Sequence, residues 1–174
     1  MIDYLTAEAW ADDFHCLKSL TRTALVPKVN FMPGFTKKTG GLLINRQCTI
    51  GNGQYERNQD YQLSKALFFA YPSDWKPVIK AMNRFFGKNT LLEIAGGAGQ
   101  ESILKACKDE KTNFQTEALS YMNQTDWDQM MASMDFMIIR GEDSMAQACS
   151  SGIPFIWQAY PQKENYHMVK VQAL

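Results

Sequence analysis

The segment MIIRGEDSMAQA, Met137 to Ala148, gathers residue types that can hold a phosphorylated ligand. An apolar run ends in Arg140 and Gly141, and Glu142, Asp143 and Ser144 follow where a helix begins. Gly141 allows the backbone an open or left-handed turn. Amides left free near the helix start, expected around Ser144 to Ala146, would then face the carboxyl edge of a sheet. Together with the Arg140 guanidinium they form an anion site suited to a diphosphate. Glu142 and Asp143 repel phosphate and suit the hydroxyls of a ribose or sugar, or helix-end N–H groups. A plainer reading stays open, in which Asp143 or Ser144 caps the helix and Arg140 makes a surface ion pair.

A second constellation is LLEIAGGAGQ, Leu91 to Gln100. Glu93 before a glycine-rich turn, Gly96 to Gly99, is the pattern of an S-adenosylmethionine site in a methyltransferase, with the glycines admitting the ligand close to the backbone. Ala95 stands where that pattern has its first glycine, and a tight strand-to-helix turn explains the same residues. Phe69 and Tyr71 close an apolar run, and PFIWQAYPQ, Pro154 to Gln162, forms a second aromatic cluster. Aromatics at strand ends can stack a base, although packing uses them more often. Met130, Met131, Met134 and Met137 fit helix and strand core, and His167 fits a surface or packing position.

These groups need elements to position them. ALFFAY, Ala66 to Tyr71, is an apolar run of strand length suited to burial on both faces. Ser73 is placed to cap a helix with Trp75, Val78, Ile79, Met82 and Phe86 on one side, Pro77 in its first turn and Gly87 closing it. Thr90 to Ile94 reads as the next strand, Glu101 to Lys108 as a helix, and Phe114 to Tyr121 as a strand interrupted by Gln115 and Glu117. Thr125 and Asp128 resemble a capping box opening DWDQMMAS. Asp135 to Ile139 is a fourth strand, Asp143 to Ser151 a helix closed by Gly152, and Pro154 to Trp157 a fifth strand. The alternation predicts an α/β fold: a Rossmann-like parallel sheet covered on both faces, binding ligands beyond the carboxyl ends of its strands. Residues 1–43 read as a separate fragment with a structured loop, FMPGFTKKTGGLL, and 44–62, rich in Asn, Gln, Gly and Arg, as a linker to the domain at 63–174. The sequence breaks off inside a further helical stretch, ENYHMVKVQAL, which suggests a piece of a longer enzyme.

Composition narrows the classes. Eighteen Lys and Arg balance eighteen Asp and Glu, which removes the default case for a nucleic-acid or anionic-membrane surface. Nothing resembles a membrane span or signal peptide. The four cysteines, Cys16, Cys48, Cys107 and Cys149, form no CxxC pair and there are two histidines, so no metal site is expected and a cytoplasmic setting is.

The blocks IDYLTAEAW (Ile2 to Trp10), FMPGFTKKTGGLL (Phe31 to Leu43), DFMIIRGEDS (Asp135 to Ser144) and PFIWQAYPQ (Pro154 to Gln162) resemble, in the same order, those of the elongation factor P maturation arginine rhamnosyltransferases (EarP). The resemblance implies the C-terminal nucleotide-binding lobe of a GT-B glycosyltransferase with a fragment of the N-terminal, acceptor-side lobe. It implies inverting transfer of L-rhamnose from dTDP-β-L-rhamnose to an arginine of elongation factor P, with no metal or other cofactor. Phe69 and Tyr71 would hold the thymine, and Gln124, in the turn before DWDQ, would lie near the nucleotide. Arg140, Gly141, Asp143 and Ser144 would contact the nucleotide sugar and its diphosphate, with Glu142 supporting catalysis. Gly34 and Phe35 would lie in a loop facing the cleft between lobes. Gln147, Ser151 and Gln158 stand where such proteins usually carry a basic residue, a tryptophan and a histidine. An arginine nucleophile, with a pKa above about 12, needs a carboxylate to take its proton. That aspartate matches no residue here and is expected ahead of Met1. Rival readings are a methyltransferase and a non-catalytic nucleotide-binding fragment.

Overall fold

The computed structural model describes residues 1–22, 25–43 and 64–174; the linker expected at 44–62 lies outside them. Five strands form one sheet: β3 (Lys65–Phe68), β4 (Leu91–Ile94), β5 (Gln115–Ala118), β6 (Phe136–Arg140) and β7 (Phe155–Gln158). Their order is β5-β4-β3-β6-β7, and every pair is parallel. The connecting helices are α2 (Lys76–Phe85), α3 (Gln100–Asp109), α4 (Gln124–Ala132) and α5 (Gly141–Ser151).

The central strands show why the sheet is covered twice. Successive side chains of a strand point to opposite faces. Ala66, Phe68 and Ile138 enter a cluster with Ile79 and Met82 of α2 and Ile103 and Ala106 of α3. Leu67, Met137 and Ile139 enter the other, with Met131 of α4 and Met145 and Ala148 of α5. Each fully buried large side chain contributes roughly 1.5–3 kcal/mol, so an unbroken apolar run is what such a strand requires. β5 is exposed along its whole length, which accounts for the Gln115 and Glu117 that interrupt its pattern. At the amino edge, Asp135 Oδ2 accepts from the Ser64 and Lys65 amides at 2.9 Å and the Ser64 hydroxyl at 2.8 Å, tying β3 to β6.

Helix boundaries differ from the expected ones for local reasons. Ser73 does not cap α2; Trp75 occupies that position without a side-chain cap. The Trp75 indole donates to the Tyr71 carbonyl at 3.2 Å and meets the Phe68 ring at 5.0 Å, so it sets where the helix can begin. The helix ends at Phe85 because Phe86 turns into an extended conformation and enters the core, leaving Gly87 outside the terminating turn. α4 is capped by Asn123, not Thr125: Asn123 Oδ1 accepts from the Asp126 amide at 2.9 Å and its Nδ2 donates to Asp126 Oδ2 at 2.8 Å. α5 starts at Gly141, two residues early, and ends as expected on a left-handed Gly152, φ 70°.

The N-terminal segment contributes α1 (Trp10–Phe14), β1 (Lys18–Leu20) and β2 (Pro27–Val29), none of which its sequence pattern announced. β1 and β2 pair antiparallel, and Ile2 and Thr6 bridge in parallel to Phe31 and Gly34. Leu5 packs among the side chains that face α4 and α5. α6 (His167–Ala173) follows a 3-10 turn at Lys163–Asn165.

Candidate functional site

From β3 the chain winds outward one way, through β4 to β5, then returns past β3 to β6 and β7. The crevice beyond the carboxyl ends of β3 and β6 is the switch point where parallel α/β sheets bind ligands. β3 delivers Phe69 and Tyr71 there, and β6 delivers Arg140. Pairing of Phe68 with Ile138 sets this register.

Arg140 is enclosed by aromatic rings. Its guanidinium carbon lies 4.3 Å from the Phe69 ring centre and 4.5 Å from that of Tyr71, within cation–π range. Its Nε is buried without a hydrogen-bond partner, and among the described residues it makes no ion pair, unlike the surface pairing left open above. Gly141 has φ +69°, and a Cβ there would sit 3.3 Å from the Tyr71 hydroxyl. Because α5 starts at Gly141, the amides without helical partners are those of Gly141, Glu142 and Asp143. Those of Ser144 to Ala146, expected to be free, lie one turn inside the helix.

A cleft of about 270 Å³, near the lower end for small-molecule sites, is lined by Phe69, Gln124, Arg140, Asp143 and Ser144. Gln124 is the first residue of α4 rather than part of the preceding turn. Tyr121, Trp127 and Gln147 also line the cleft; Tyr121 and Trp127 were not singled out from the sequence, and Gln147 was noted only as a departure from the usual basic residue. Trp127 and Gln147 belong to a polar wall. Gln124 and Gln147 donate their Nε2 groups to Asp128 Oδ1 at 2.7 and 2.8 Å, and Trp127 Nε1 donates to Gln147 Oε1 at 3.1 Å. The Trp127 ring stands edge-on to Phe69 at 4.9 Å. The spacing of Asp128 and Gln124 by one helical turn was the available signal; the partner on α5 was not visible locally.

Tyr71 and Glu142 are placed differently. Tyr71 is outside the cleft lining and packs on Arg140. Glu142 is bound by Lys170 of α6 at 2.7 Å, with their side chains 19% and 16% exposed. Lys170 also lies 4.3 Å over the Tyr4 ring. Burial works against its charge, but the Glu142 hydrogen bond and charge hold its pKa above the ordinary lysine value. Gly34 and Phe35 lie in the 31–43 loop, with Phe35 exposed.

The glycine-rich turn after β4 is explained by packing. A Cβ on Gly99 would fall 2.0 Å from the Ala70 carbonyl oxygen. Glu93 is a buried strand residue paired with Lys65 at 3.7 Å, and Gln100 Nε2 donates to the carbonyls of Ile94 and Leu119 at 3.0 and 2.8 Å. Among the described residues no group of three or more His, Cys, Asp and Glu is placed to hold a metal ion. None of the described helices is long and apolar enough to cross a membrane.

A family model described as elongation factor P (EF-P) rhamnosyltransferase EarP matches residues 1–174. A protein-arginine rhamnosyltransferase of Shewanella oneidensis is 28% identical over 201 residues, covering 99% of this chain and 51% of its own. One from Neisseria meningitidis is 30% identical over 190 residues, covering 98% and 49%. A solved structure described as the structural basis for EarP-mediated arginine glycosylation of translation elongation factor EF-P aligns at a TM-score of 0.61 and 21% identity, covering 81% of this chain and 51% of that one. The fold expected from the sequence, a parallel α/β lobe of the GT-B kind, is the fold found. The chain spans about half the length of these relatives.

Proposed function

Because the chain belongs to the EF-P rhamnosyltransferase EarP family, we propose that it is the donor-binding part of an inverting protein-arginine rhamnosyltransferase. Residues 63–174 form the donor lobe, and residues 1–43 contribute the edge of the acceptor-side lobe. The donor is dTDP-β-L-rhamnose and the acceptor an arginine of elongation factor P. The observation that supports this reading most is the convergence of Arg140 and the start of α5 on the crevice between β3 and β6, beside the cleft bounded by Phe69 and Gln124.

In this reading the thymine and ribose occupy the cleft, where Asp143 accepts from a hydroxyl. The diphosphate meets Arg140 and the amides of Gly141 to Asp143. An acceptor guanidine nitrogen attacks the anomeric carbon as its bond to the diphosphate oxygen breaks. The positive end of α5 and Arg140 stabilise the charge that grows on the departing dTDP. The proton lost by the guanidine goes to a positioned carboxylate. Glu142, held by Lys170, supports the geometry of the α5 start.

Thermal melting tests the reading. A ligand at about 100 times its dissociation constant adds about 2.7 kcal/mol, which for a chain of this size raises the Tm by roughly 5–10 °C. dTDP and dTDP-rhamnose should each give that shift, Arg140→Ala and Asp143→Ala should abolish it, and S-adenosylmethionine should give none. A shift that survives Arg140→Ala, or that only S-adenosylmethionine produces, refutes the proposal.

A further inference from the structure

Phe69 and Tyr71 both pack against the Arg140 guanidinium, at 4.3 and 4.5 Å, but the rings are differently engaged. Phe69 borders the cleft and meets Trp127. Tyr71 faces Arg140 at 4.5 Å and is braced from elsewhere. Tyr160 stands edge-on to it at 5.1 Å and 82°, and the Tyr71 backbone amide donates to Gln158 Oε1, at the end of β7, at 2.7 Å.

A guanidinium packed against two rings has less freedom to swing. What remains to a ligand is its N–H edge, the part that matches phosphate oxygens in a planar fork. The buried, unpartnered Nε fits a side chain held by ring contacts rather than by hydrogen bonds.

We propose that Tyr71, braced by Tyr160, is a positioning residue that acts on the donor diphosphate through Arg140 and does not hold the base. This rests on the reading of Arg140 as the diphosphate contact. The role assigned to Tyr71 from the sequence, stacking of the thymine, passes to groups that border the cleft.

Calorimetric titration of the 174-residue chain with thymidine, dTDP and inorganic pyrophosphate separates the possibilities. Tyr71→Leu should weaken dTDP and pyrophosphate about tenfold, the order of one cation–π contact, and leave thymidine within about twofold. Tyr71→Phe should recover most of that loss, and Tyr160→Ala should give a smaller loss with the same ligand pattern. Once Arg140→Met has removed the guanidinium, adding Tyr71→Leu should change nothing more. Equal losses for thymidine and dTDP, or full additivity of the two substitutions, overturn the inference and leave the donor reading intact. If the parent chain binds none of the three ligands, the donor reading fails and this inference fails with it.

Discussion

Gly99→Ala sets two known effects against each other. Gly99 caps α3 with φ −85° and ψ −15°, a conformation alanine adopts without strain. In open space the substitution would stabilise the fold by about 0.4–1 kcal/mol by restricting the unfolded chain. Here the added methyl would lie 2.0 Å from the Ala70 oxygen, 2.9 Å from its carbonyl carbon and 3.1 Å from that of Tyr71. An ordinary C···O approach is about 3.3 Å, so the start of α3 and the end of β3 must separate by about 1.3 Å. All three atoms are backbone, and no side chain can swing aside. Overpacking of this kind costs roughly 1–3 kcal/mol, occasionally more, so the net loss should be roughly 2 kcal/mol. Urea unfolding followed by tryptophan fluorescence measures it. Gly152→Ala is the contrasting case. Its φ is +70° and nothing lies within 4 Å, so it should lose roughly 1–2 kcal/mol from left-handed strain alone. Because Ala70 lies between Phe69 and Tyr71, Gly99→Ala should also weaken dTDP binding, whereas Gly152→Ala should not. A net loss for Gly99→Ala below about 0.5 kcal/mol would refute the reasoning, since it would mean the helix start yields freely.

Asp128→Ala removes the acceptor shared by Gln124 and Gln147; urea midpoints should show a loss of roughly 3 kcal/mol, the scale for charged hydrogen bonds in a buried setting, with Asp128→Asn losing less. Cys107 is buried and its thiol is pushed up to about 11 by that burial. Mass spectrometry after brief iodoacetamide treatment at neutral pH should therefore find Cys16 modified and Cys107 protected until denaturant is added.

The sheet was legible because its central strands are buried on both faces and must be apolar throughout, as in ALFF and MII. α2 announced itself by three- and four-residue spacing of its apolar residues and Gly152 marked the end of α5, but other helix ends were less legible. Trp75 and Phe86 set the ends of α2 through contacts that a list of preferred caps does not contain, whereas Asn123 is an ordinary N-cap residue two positions ahead of the expected Thr125. β1 and β2 are three residues each and exposed or half-exposed, too short for alternation to register. At the candidate site, Arg140, Gly141 and the helix start were readable because a strand, a glycine and a helix adjoin in sequence. The setting of Tyr71 was not, since it depends on Gln158 and Tyr160 two strands across the sheet. The Lys170 partner of Glu142 was hidden for the same reason.

The contact of Lys170 with both Tyr4 and Glu142 bears on the order of assembly during synthesis. The N-terminal segment, through Tyr4, and α6, through Lys170, meet beside the acidic residue that follows Gly141. On a ribosome the five strands can be made and begin to pair while that carboxylate still has no cation to hold it. The latch closes only once Lys170 has emerged, so a nascent chain stalled before that residue should carry a sheet with a loose α5 entrance.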